Sequence, residues 1–299
     1  MKILLTGKNG QVGFELQRAL APVGELVALG RAQADLEKLA ELQATLEAQQ
    51  PDIIVNAAAY TNVDKAENDK NTANKVNAQA VKALADYSRA HNTLLVHYST
   101  DYVFDGEKPG PYLESDPTHP LSVYGHTKLA GEEAILQSGC KAFIFRTSWV
   151  FSARGSNFIK TIIRLAQERD SLSIVSDQIG APTSAGLVAD ITARAIAGYP
   201  GQALPFGLYH LTATGETSWH GLARHVLDRL QRNNCDLQIK GADVHAIQSK
   251  DYFVAAKRPK NSLLDTSKLR KALALTLPHW SVDVDRVMDQ ISKHWHVVD

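Results

Sequence analysis

Residues 6–13 read "TGKNGQVG", with three glycines spaced three residues apart. The apolar run "KILLT" precedes them and "QVGFELQRALAPV", with apolar residues at helical spacing, overlaps and follows them, so the glycines join a predicted strand to a predicted helix. Gly7 suits the tight turn out of the strand, Gly10 lets the backbone approach a pyrophosphate, and Gly13 lets the helix pack closely on the sheet. Free N–H groups at the start of such a helix attract phosphate. The segment therefore predicts a dinucleotide-binding βα unit.

The alternation of strand and helix continues outward from this loop through the first half of the chain. Apolar runs at residues 2–6, 25–30, 52–59, 93–99 and 142–151 predict strands, and helical patterns begin at Asp35 and span roughly 72–90. Strands that are apolar on both faces and separated by helices are typical of a parallel sheet covered on both sides. Right-handed crossovers then give an α/β fold with a doubly wound parallel (Rossmann) sheet, whose ligands bind at the carboxyl ends of the strands.

The rhythm changes after Phe151, where shorter and more mixed elements follow. A helical pattern near 186–197 and the apolar run at 207–213 look like a return to the sheet. We expect a dinucleotide-binding domain of residues 1–150 plus about 186–215. Residues 151–185 plus 216–299 are then expected to form a smaller, discontinuous C-terminal substrate-binding lobe.

Charge and cysteine content exclude several classes of partner. Thirty-two basic residues balance 32 acidic ones, so no positive field favours nucleic acid. The apolar runs are too short to span a membrane, and the N-terminus lacks a signal-peptide pattern. Cys140 and Cys235 have no metal-like spacing, which indicates a reducing cytoplasm. We expect a cytoplasmic protein that acts on a small molecule.

The segment "YGHTK" places Tyr124 and Lys128 four residues apart at the start of a predicted helix, and therefore on one face. A free tyrosine ionises near pH ~10, which is too high for easy proton exchange at neutrality. A neighbouring ammonium favours the phenolate and lowers the pKa of the phenol toward the working pH of a general acid. Lys128 is thus expected to tune Tyr124 and to donate hydrogen bonds to a nicotinamide ribose.

A hydroxyl partner for Tyr124 is expected at the end of the fourth strand, in "HYSTDYVFDG". Thr100 is placed to donate a hydrogen bond to the oxygen that Tyr124 protonates, which stabilises developing negative charge. Ser99 is the second choice, because alternation along a strand directs only one of two adjacent hydroxyls into the cleft.

The cofactor preference is addressed by "VALGR" at the end of the second strand. An NAD-specific site usually has a carboxylate there that binds the adenosine ribose, whereas this strand ends in Gly30 and Arg31, with Asp35 a few residues later. Arg31 can pair with a 2′-phosphate, which favours NADPH over NADH. A merely solvated arginine, with NADH also used, is the alternative.

Six segments carry a family resemblance. In chain order they are "TGKNGQVG", "NAAAYTNVDKAE", "STDYVFDG", "YGHTK", "FRTSWVF" and "DQIGAPT". Their order resembles the extended short-chain dehydrogenase/reductase superfamily and, within it, the dTDP-4-dehydrorhamnose reductase family. The similarity runs through essentially the whole chain, and "STDYVFDG", "RTSWV" and "DQIGAPT" are more specific than the glycine loop.

The resemblance implies NAD(P)H-dependent reduction of the 4-keto group of dTDP-4-dehydro-6-deoxy-L-mannose, with no metal in the chemistry. Tyr124 would be the proton donor and Lys128 its partner and ribose anchor. Thr100 and Asp101 would contact the sugar, and Trp149 the sugar nucleotide. The implied cofactor contacts, together with the glycines and Arg31 named above, are Gly10, Gln11 and Val12 at the phosphates, Asp35 and Leu36 at the adenine, and Ala59, Tyr60, Thr61 and Tyr98 along the rest.

Other side chains near these motifs carry weaker expectations. In "AAKRPKNS", Arg258 is a candidate partner of the substrate diphosphate because a guanidinium binds two oxygens at once, although the basic turn could equally be solvated. His97 lies within an apolar strand and is expected to be a satisfied core residue. Trp219 and His220, which open a helix, are expected to serve packing and capping.

Two departures from the family pattern leave alternatives open. Gly30 stands where many relatives have an acid, so the choice between NADPH and NADH is open. Some members are described as magnesium-dependent dimers joined through carboxylates; Glu15 is present, but Gly186 occupies the place of an expected acid. This argues against a metal-bridged dimer, and Mg²⁺ dependence and a homodimer stay open.

Two other functions compete with this interpretation. Another nucleotide-sugar 4-ketoreductase or epimerase would use the same three catalytic residues. A non-catalytic binding subunit of the same fold, similar to the regulatory beta subunit of methionine adenosyltransferase, would not need them. The presence of Thr100, Tyr124 and Lys128 favours an enzyme.

Overall fold

The first half of the chain folds as its apolar runs predict. The computed structural model describes residues 1–201, 203–239 and 243–293. Its strands are β1 (Lys2–Thr6), β2 (Glu25–Leu29), β3 (Ile53–Asn56), β4 (Leu94–Thr100), β5 (Ala142–Thr147), β6 (Val150–Phe151), β7 (Leu172–Val175), β8 (Ile179–Gly180), β9 (Thr183–Ser184), β10 (Gly207–His210), β11 (Thr217–Ser218) and β12 (Val244–Ile247). Its α-helices are α1 (Gln11–Leu20), α2 (Leu39–Gln49), α3 (Val63–Ala66), α4 (Lys70–Asn74), α5 (Ala80–His91), α6 (Val123–Ser138), α7 (Phe158–Glu168), α8 (Ala185–Ala197), α9 (Trp219–Arg232), α10 (Ser267–Leu273) and α11 (Trp280–Ser292).

Six strands form the central sheet in the order β10-β5-β4-β3-β1-β2, and every neighbouring pair is parallel. One face is covered by α1, α8 and α10, whose apolar side chains pack on the strands. The other face is covered by α2, α5 and α6. Burial on both faces explains why the strands are continuously apolar. The doubly wound sheet is confirmed, as is the return of the 207–213 region to it, since β10 pairs with β5.

Three predicted elements differ from the structure in their local backbone. The second helix begins at Leu39 rather than Asp35, because the Asp35 carboxylate accepts a 3.1 Å hydrogen bond from the Glu37 N–H and so holds a turn. The predicted strand 142–151 is broken between β5 and β6, where Trp149 has a φ of 48°. The predicted helix 72–90 contains a π-helical segment, Lys75–Gln79, between α4 and α5.

A second apolar core lies beyond the sheet. It is built from α7, α9 and α11 and includes Phe151, Leu172, Val226 and Val284. The division into a dinucleotide-binding domain and a substrate-binding lobe stays a prediction. Residue 202 of the predicted domain and residues 240–242 and 294–299 of the predicted lobe lie outside the described residues. Within the described ranges, no helix combines the length and the apolarity needed to cross a bilayer.

Candidate active site

A cleft of about 1070 Å³ opens at the carboxyl ends of the sheet strands. The glycine loop, the end of β2, the end of β4 and the start of α6 all border it. The residues predicted for cofactor or substrate that line it are Gly7, Gly10, Gln11, Val12, Gly30, Arg31, Asp35, Leu36, Ala59, Tyr60, Thr61, Tyr98, Thr100, Asp101, Tyr124, Lys128 and Trp149. Gly13 and Arg258 are not among the residues that line it.

The glycine loop has little space for side chains at two positions. Gly7 has a φ of 76°, and a Cβ there would lie 2.6 Å from the Ala58 backbone nitrogen. A Cβ on Gly13 would lie 2.1 Å from the Gly7 carbonyl oxygen, because α1 packs directly against the loop. Gly10 is less crowded and precedes α1 with no side-chain cap, so N–H groups of the first turn face the cleft. This arrangement fits a pyrophosphate.

Gln11 links the glycine loop to the segment after β6. Its side-chain nitrogen donates to the Val150 carbonyl at 3.4 Å, and its side-chain oxygen accepts from the Asn157 amide at 2.8 Å. Asn157 also caps α7, since its own side-chain oxygen accepts from the Lys160 N–H. The first residue of α1 is therefore joined by side-chain hydrogen bonds to the start of α7.

Arg31 lies at the rim of the cleft, with 74% of its side chain exposed. Its guanidinium is paired with the Glu37 carboxylate and lies 3.5 Å from that of Asp35. A 2′-phosphate would have to share or replace these acidic partners. The two carboxylates offset part of the positive charge that the sequence offers to such a phosphate.

Tyr124 is positioned by the start of α6. Ser122 caps this helix by accepting a hydrogen bond from the Gly125 N–H at 3.2 Å. Gly125 is needed because a Cβ there would lie 2.2 Å from the Tyr102 carbonyl oxygen. The ring of Tyr124 contacts that of Tyr102 edge-on, with centroids 5.6 Å apart.

The pKa of Tyr124 differs from the expectation. Burial raises the pKa of the phenol to about 12; a hydrogen bond with Thr100 opposes this shift, and the charge of Asp101 adds to it. The predicted lowering by Lys128 is smaller than this cost of burying a phenolate. Tyr124 is therefore a neutral phenol that holds a proton to donate.

The hydroxyl of Thr100 lies at the junction between β4 and the loop that follows. It donates to the Asp101 carboxylate at 3.1 Å and accepts from the Tyr102 N–H at 3.1 Å. Asp101 is buried, and burial raises the pKa of its carboxyl group to about 6. The other oxygen of Asp101 and the Ser99 hydroxyl have no hydrogen-bond partner among the described residues. Both atoms are buried, although their residues line the cleft.

Lys128 lies one turn further along α6 and is 2% exposed. Its Nζ donates to the Tyr98 carbonyl oxygen at 2.6 Å and lies 3.3 Å from Nε2 of His97. Burial lowers the pKa of Lys128 to about 8, and the charge of Glu132 opposes this shift. Tyr98 thus meets Lys128 through its backbone, while its phenol bonds with Thr192 at 2.8 Å.

Trp149 is held in its unusual backbone conformation beside a second indole. Its ring stacks on Trp219, with centroids 3.5 Å apart and planes 10° apart. Gly180 leaves room for it, because a Cβ there would lie 2.6 Å from the ring. The expectation that Trp219 only packs and caps was too narrow: it lines the cleft, while Ser218 caps its helix. His220 is structural, with Nε2 3.1 Å from the Val244 carbonyl oxygen.

Comparison with known proteins identifies the family. Residues 1–293 match the family model described as RmlD substrate binding domain. A relative from Shigella flexneri named dTDP-4-dehydrorhamnose reductase is 47% identical over 298 residues, which cover 97% of this chain and 98% of the relative. The chain belongs to the dTDP-4-dehydrorhamnose reductase family.

Solved structures of the dTDP-4-dehydrorhamnose reductase family have the same fold. One from Clostridium acetobutylicum is 32% identical with a TM-score of 0.89, and covers 97% of this chain and 99% of its own. One from Bacillus anthracis, in complex with NADP, is 33% identical with a TM-score of 0.88 over the same shares. The resemblance found in the sequence is therefore confirmed at the level of family and fold.

Arg258, the candidate diphosphate partner, lies in a second cavity of about 670 Å³. This cavity adjoins the cleft, since Phe158 and Trp219 line both. The Arg258 guanidinium donates to the Asp64 carboxylate at 2.7 Å, and the same carboxylate accepts from the Ala256 N–H. Arg258 is thus a paired residue beside the cleft, and its role toward a diphosphate stays a prediction.

The residues considered for Mg²⁺ in the dTDP-4-dehydrorhamnose reductase family pattern, Glu15 and Gly186, are half-buried on α1 and α8. Glu15 lies 3.8 Å from Arg18, which in turn pairs with Asp190 at 2.7 Å. Asp190, four residues after Gly186, is therefore occupied by an exposed ion pair with Arg18. The described part of the chain contains no cluster of three or more side chains suited to a metal ion.

Proposed function

We propose that this protein reduces the 4-keto group of dTDP-4-dehydro-6-deoxy-L-mannose to give dTDP-L-rhamnose, with NADPH preferred and NADH also accepted. The observation that carries the proposal is the meeting of Tyr124, Thr100 and Lys128 with the glycine loop in one cleft. The names of the relatives and the NADP complex of the Bacillus anthracis neighbour support the substrate and the cofactor.

The glycine loop and the uncapped start of α1 would bind the cofactor diphosphate. Asp35 and Leu36 would flank the adenine, and Arg31 would meet a 2′-phosphate. When bound, the cofactor supplies the hydride that reduces the carbonyl carbon. Lys128 would donate hydrogen bonds to the nicotinamide ribose from the base of the cleft.

Tyr124 would supply the proton. Its phenol is neutral in the buried cleft, so the proton is present when negative charge develops on the substrate oxygen. Thr100 would turn its O–H from Asp101 to that oxygen and stabilise the charge. The resulting phenolate is stabilised by the cation of Lys128 one helical turn away, which is the role that the spacing predicted.

Asp101, Trp149 and Arg258 would recognise the substrate. Asp101 lines the cleft, and its carboxylate would accept a hydrogen bond from a sugar hydroxyl. The stacked rings of Trp149 and Trp219 offer an apolar wall between the cleft and the second cavity. Arg258 would exchange part of its pairing with Asp64 for a diphosphate oxygen.

The proposal includes the domain division, in which the lobe of residues 151–185 plus 216–299 holds the sugar nucleotide. It also includes a cytoplasmic location. Two cysteines without a disulfide, Cys140 and Cys235, support the cytoplasmic location.

The test is a direct assay. Purified protein is mixed with dTDP-4-dehydro-6-deoxy-L-mannose and NADPH or NADH, the loss of reduced nicotinamide is followed by absorbance, and the product is identified by NMR. We expect oxidation of the cofactor with no partner protein present, and a product with the L-rhamno configuration. A product of another configuration would point to a different 4-ketoreductase, and no oxidation at all would point to a binding subunit.

A further inference from the structure

A row of buried polar side chains runs from β1 to Lys128 behind the cleft. Thr6 Oγ1 donates to Asn56 Oδ1 at 2.7 Å, Asn56 Nδ2 lies 3.1 Å from His97 Nδ1, and His97 Nε2 lies 3.3 Å from Lys128 Nζ. All four side chains are at most 2% exposed. Because Thr6, Asn56 and His97 are buried away from the cleft surface, the hydrogens that they share must be matched to acceptors among these neighbours.

The orientation of the Asn56 amide is fixed by a backbone donor. The Ala58 N–H donates to Asn56 Oδ1 at 3.2 Å, in addition to the bond from Thr6. The oxygen therefore faces these two donors, and Nδ2 is left to face His97. Since an amide nitrogen can only donate, His97 Nδ1 must accept.

This bond selects the tautomer of His97. A neutral imidazole that accepts at Nδ1 carries its proton at Nε2, and burial keeps the pKa of His97 well below its usual value. The Nε2–H then points at Lys128 Nζ. An ammonium group has donors only, so a protonated Lys128 faces a donor, whereas the amine form accepts this hydrogen bond and still donates to Tyr98.

The other groups that face Lys128 do not reverse this preference. Glu132, on the same helix, is neutralised by Arg146 from β5, which donates to both of its carboxylate oxygens. Tyr124 is a neutral phenol. The π-helical segment contributes Asn77, which is uncharged and bonds to Thr127. No unpaired carboxylate among the described residues contacts the amine.

We propose that His97 is a positioning residue that weakens proton binding at Lys128 Nζ before the cofactor binds, so that cofactor entry draws one proton from solvent onto Lys128. The proton adds to the lone pair of Nζ, which gives up the hydrogen bond from His97 and donates instead to oxygens of the cofactor ribose. The inference rests on the proposed function because it assumes that the cofactor binds beside Lys128. Burial, which lowers the pKa of Lys128 to about 8, places this exchange in mildly alkaline solution.

The test measures the protons taken up when NADPH binds. Calorimetric titrations at about pH 8.5 in two buffers of different ionisation enthalpy should give an uptake of about half a proton or more per cofactor in the wild type. His97→Asn keeps an acceptor for Asn56 but no longer reaches Lys128, and His97→Gln offers Nζ an acceptor oxygen. Proton uptake should fall at least about twofold in both variants. His210→Gln, at a second buried histidine away from the cleft, should leave the uptake unchanged.

Each outcome decides a different claim. Binding of NADPH by the wild type without proton uptake, or equal uptake in wild type and His97→Asn, would overturn the role of His97 and leave the reductase function standing. Absence of NADPH binding would instead remove the proposed function. A measurement on the wild type needs no variant to fold: histidine-selective ¹⁵N NMR should find His97 protonated at Nε2, and a proton at Nδ1 would also overturn the inference.

Discussion

Two buried cations lie on neighbouring elements of this protein, and they are treated differently. Arg146, on β5, is 3% exposed and holds both carboxylate oxygens of Glu132, at 2.9 and 2.6 Å. Lys128, on α6, is equally buried but has only a carbonyl oxygen and an imidazole. A buried cation paired with a buried carboxylate belongs to the structure, whereas a buried cation with no counter-charge beside it is set up for a ligand. Arg146 is therefore part of the scaffold and Lys128 part of the site, although both are buried.

The largest effect is expected on activity, from a substitution at Tyr124 in the site that contains Lys128. Tyr124→Phe should fold and bind NADPH but lose a factor of about 10² to 10⁴ in kcat, because the proton donor is removed while the packing of the ring is kept. Single-turnover and steady-state rates with the keto-sugar measure this. Tyr209→Phe removes a phenol that only donates to the Pro205 carbonyl, so it is the matched control and should keep kcat. A Tyr124→Phe enzyme with near wild-type kcat would remove Tyr124 from the mechanism.

Substitutions in the scaffold pair of Arg146 and Glu132 should change the free energy of unfolding. Arg146→Met leaves the Glu132 carboxylate buried without its partner and should lower the free energy of unfolding by about 3–5 kcal/mol. Urea denaturation followed by circular dichroism measures the loss. The double variant Arg146→Met/Glu132→Leu removes both charges and should recover most of the stability. If the single variant were as stable as the wild type, the assignment of this pair to the scaffold would be wrong.

Lys128→Met should behave in the opposite way from Arg146→Met. Activity should be lost, but stability near pH 7 should rise by about 1–2 kcal/mol, because the cost of burying an ammonium exceeds the lost bond to Tyr98. The folded pKa of Lys128 is lowered to about 8, so the unfolded chain binds the proton more tightly. The buried ammonium therefore destabilises the wild type fully below pH 8. The stability gain of the variant should shrink as pH rises from 8 toward 10.5, the ordinary pKa of a lysine. Thermal melts across this range test the sign, and a gain that grows with pH would contradict it.

The smallest effect is expected at an exposed cation. Arg31→Ala should lower kcat/KM for NADPH by about 3- to 10-fold, since an exposed pair contributes about 1 kcal/mol, and should leave kcat/KM for NADH unchanged. Parallel assays with the two cofactors measure the difference. Equal values for both cofactors in the wild type, unaltered in Arg31→Ala, would leave Arg31 as a solvated residue.

Local patterns were sufficient to predict the glycine loop, the parallel sheet and the meeting of Thr100, Tyr124 and Lys128. Each depends on spacing within one strand or one helical turn, together with the rule that parallel strands present their carboxyl ends at one edge. The start of α2 was missed because a side chain, that of Asp35, bonds to a nearby backbone group and competes with the helix.

Partners distant in sequence could not be predicted in this way. Asn56 and His97 are 41 residues apart, and Asp64 and Arg258 are 194 apart. The stack of Trp149 on Trp219 likewise joins two segments that the sequence places in separate elements. The hydrophobic periodicity of two such segments does not predict that their side chains pair, because the pairing depends on how the helices and strands pack together. For the same reason His97 looked like an ordinary core residue.

The contact between Gly180 and the indole of Trp149 gives position 180 an influence on the cleft that it does not border. Even one methyl group there would have to displace the ring, whose other neighbour, Trp219, leaves it little freedom to retreat. Substitutions at this glycine would therefore alter the shape available to a sugar nucleotide without contacting the ligand. A screen for altered substrate choice should include this position alongside the residues that face the ligand directly.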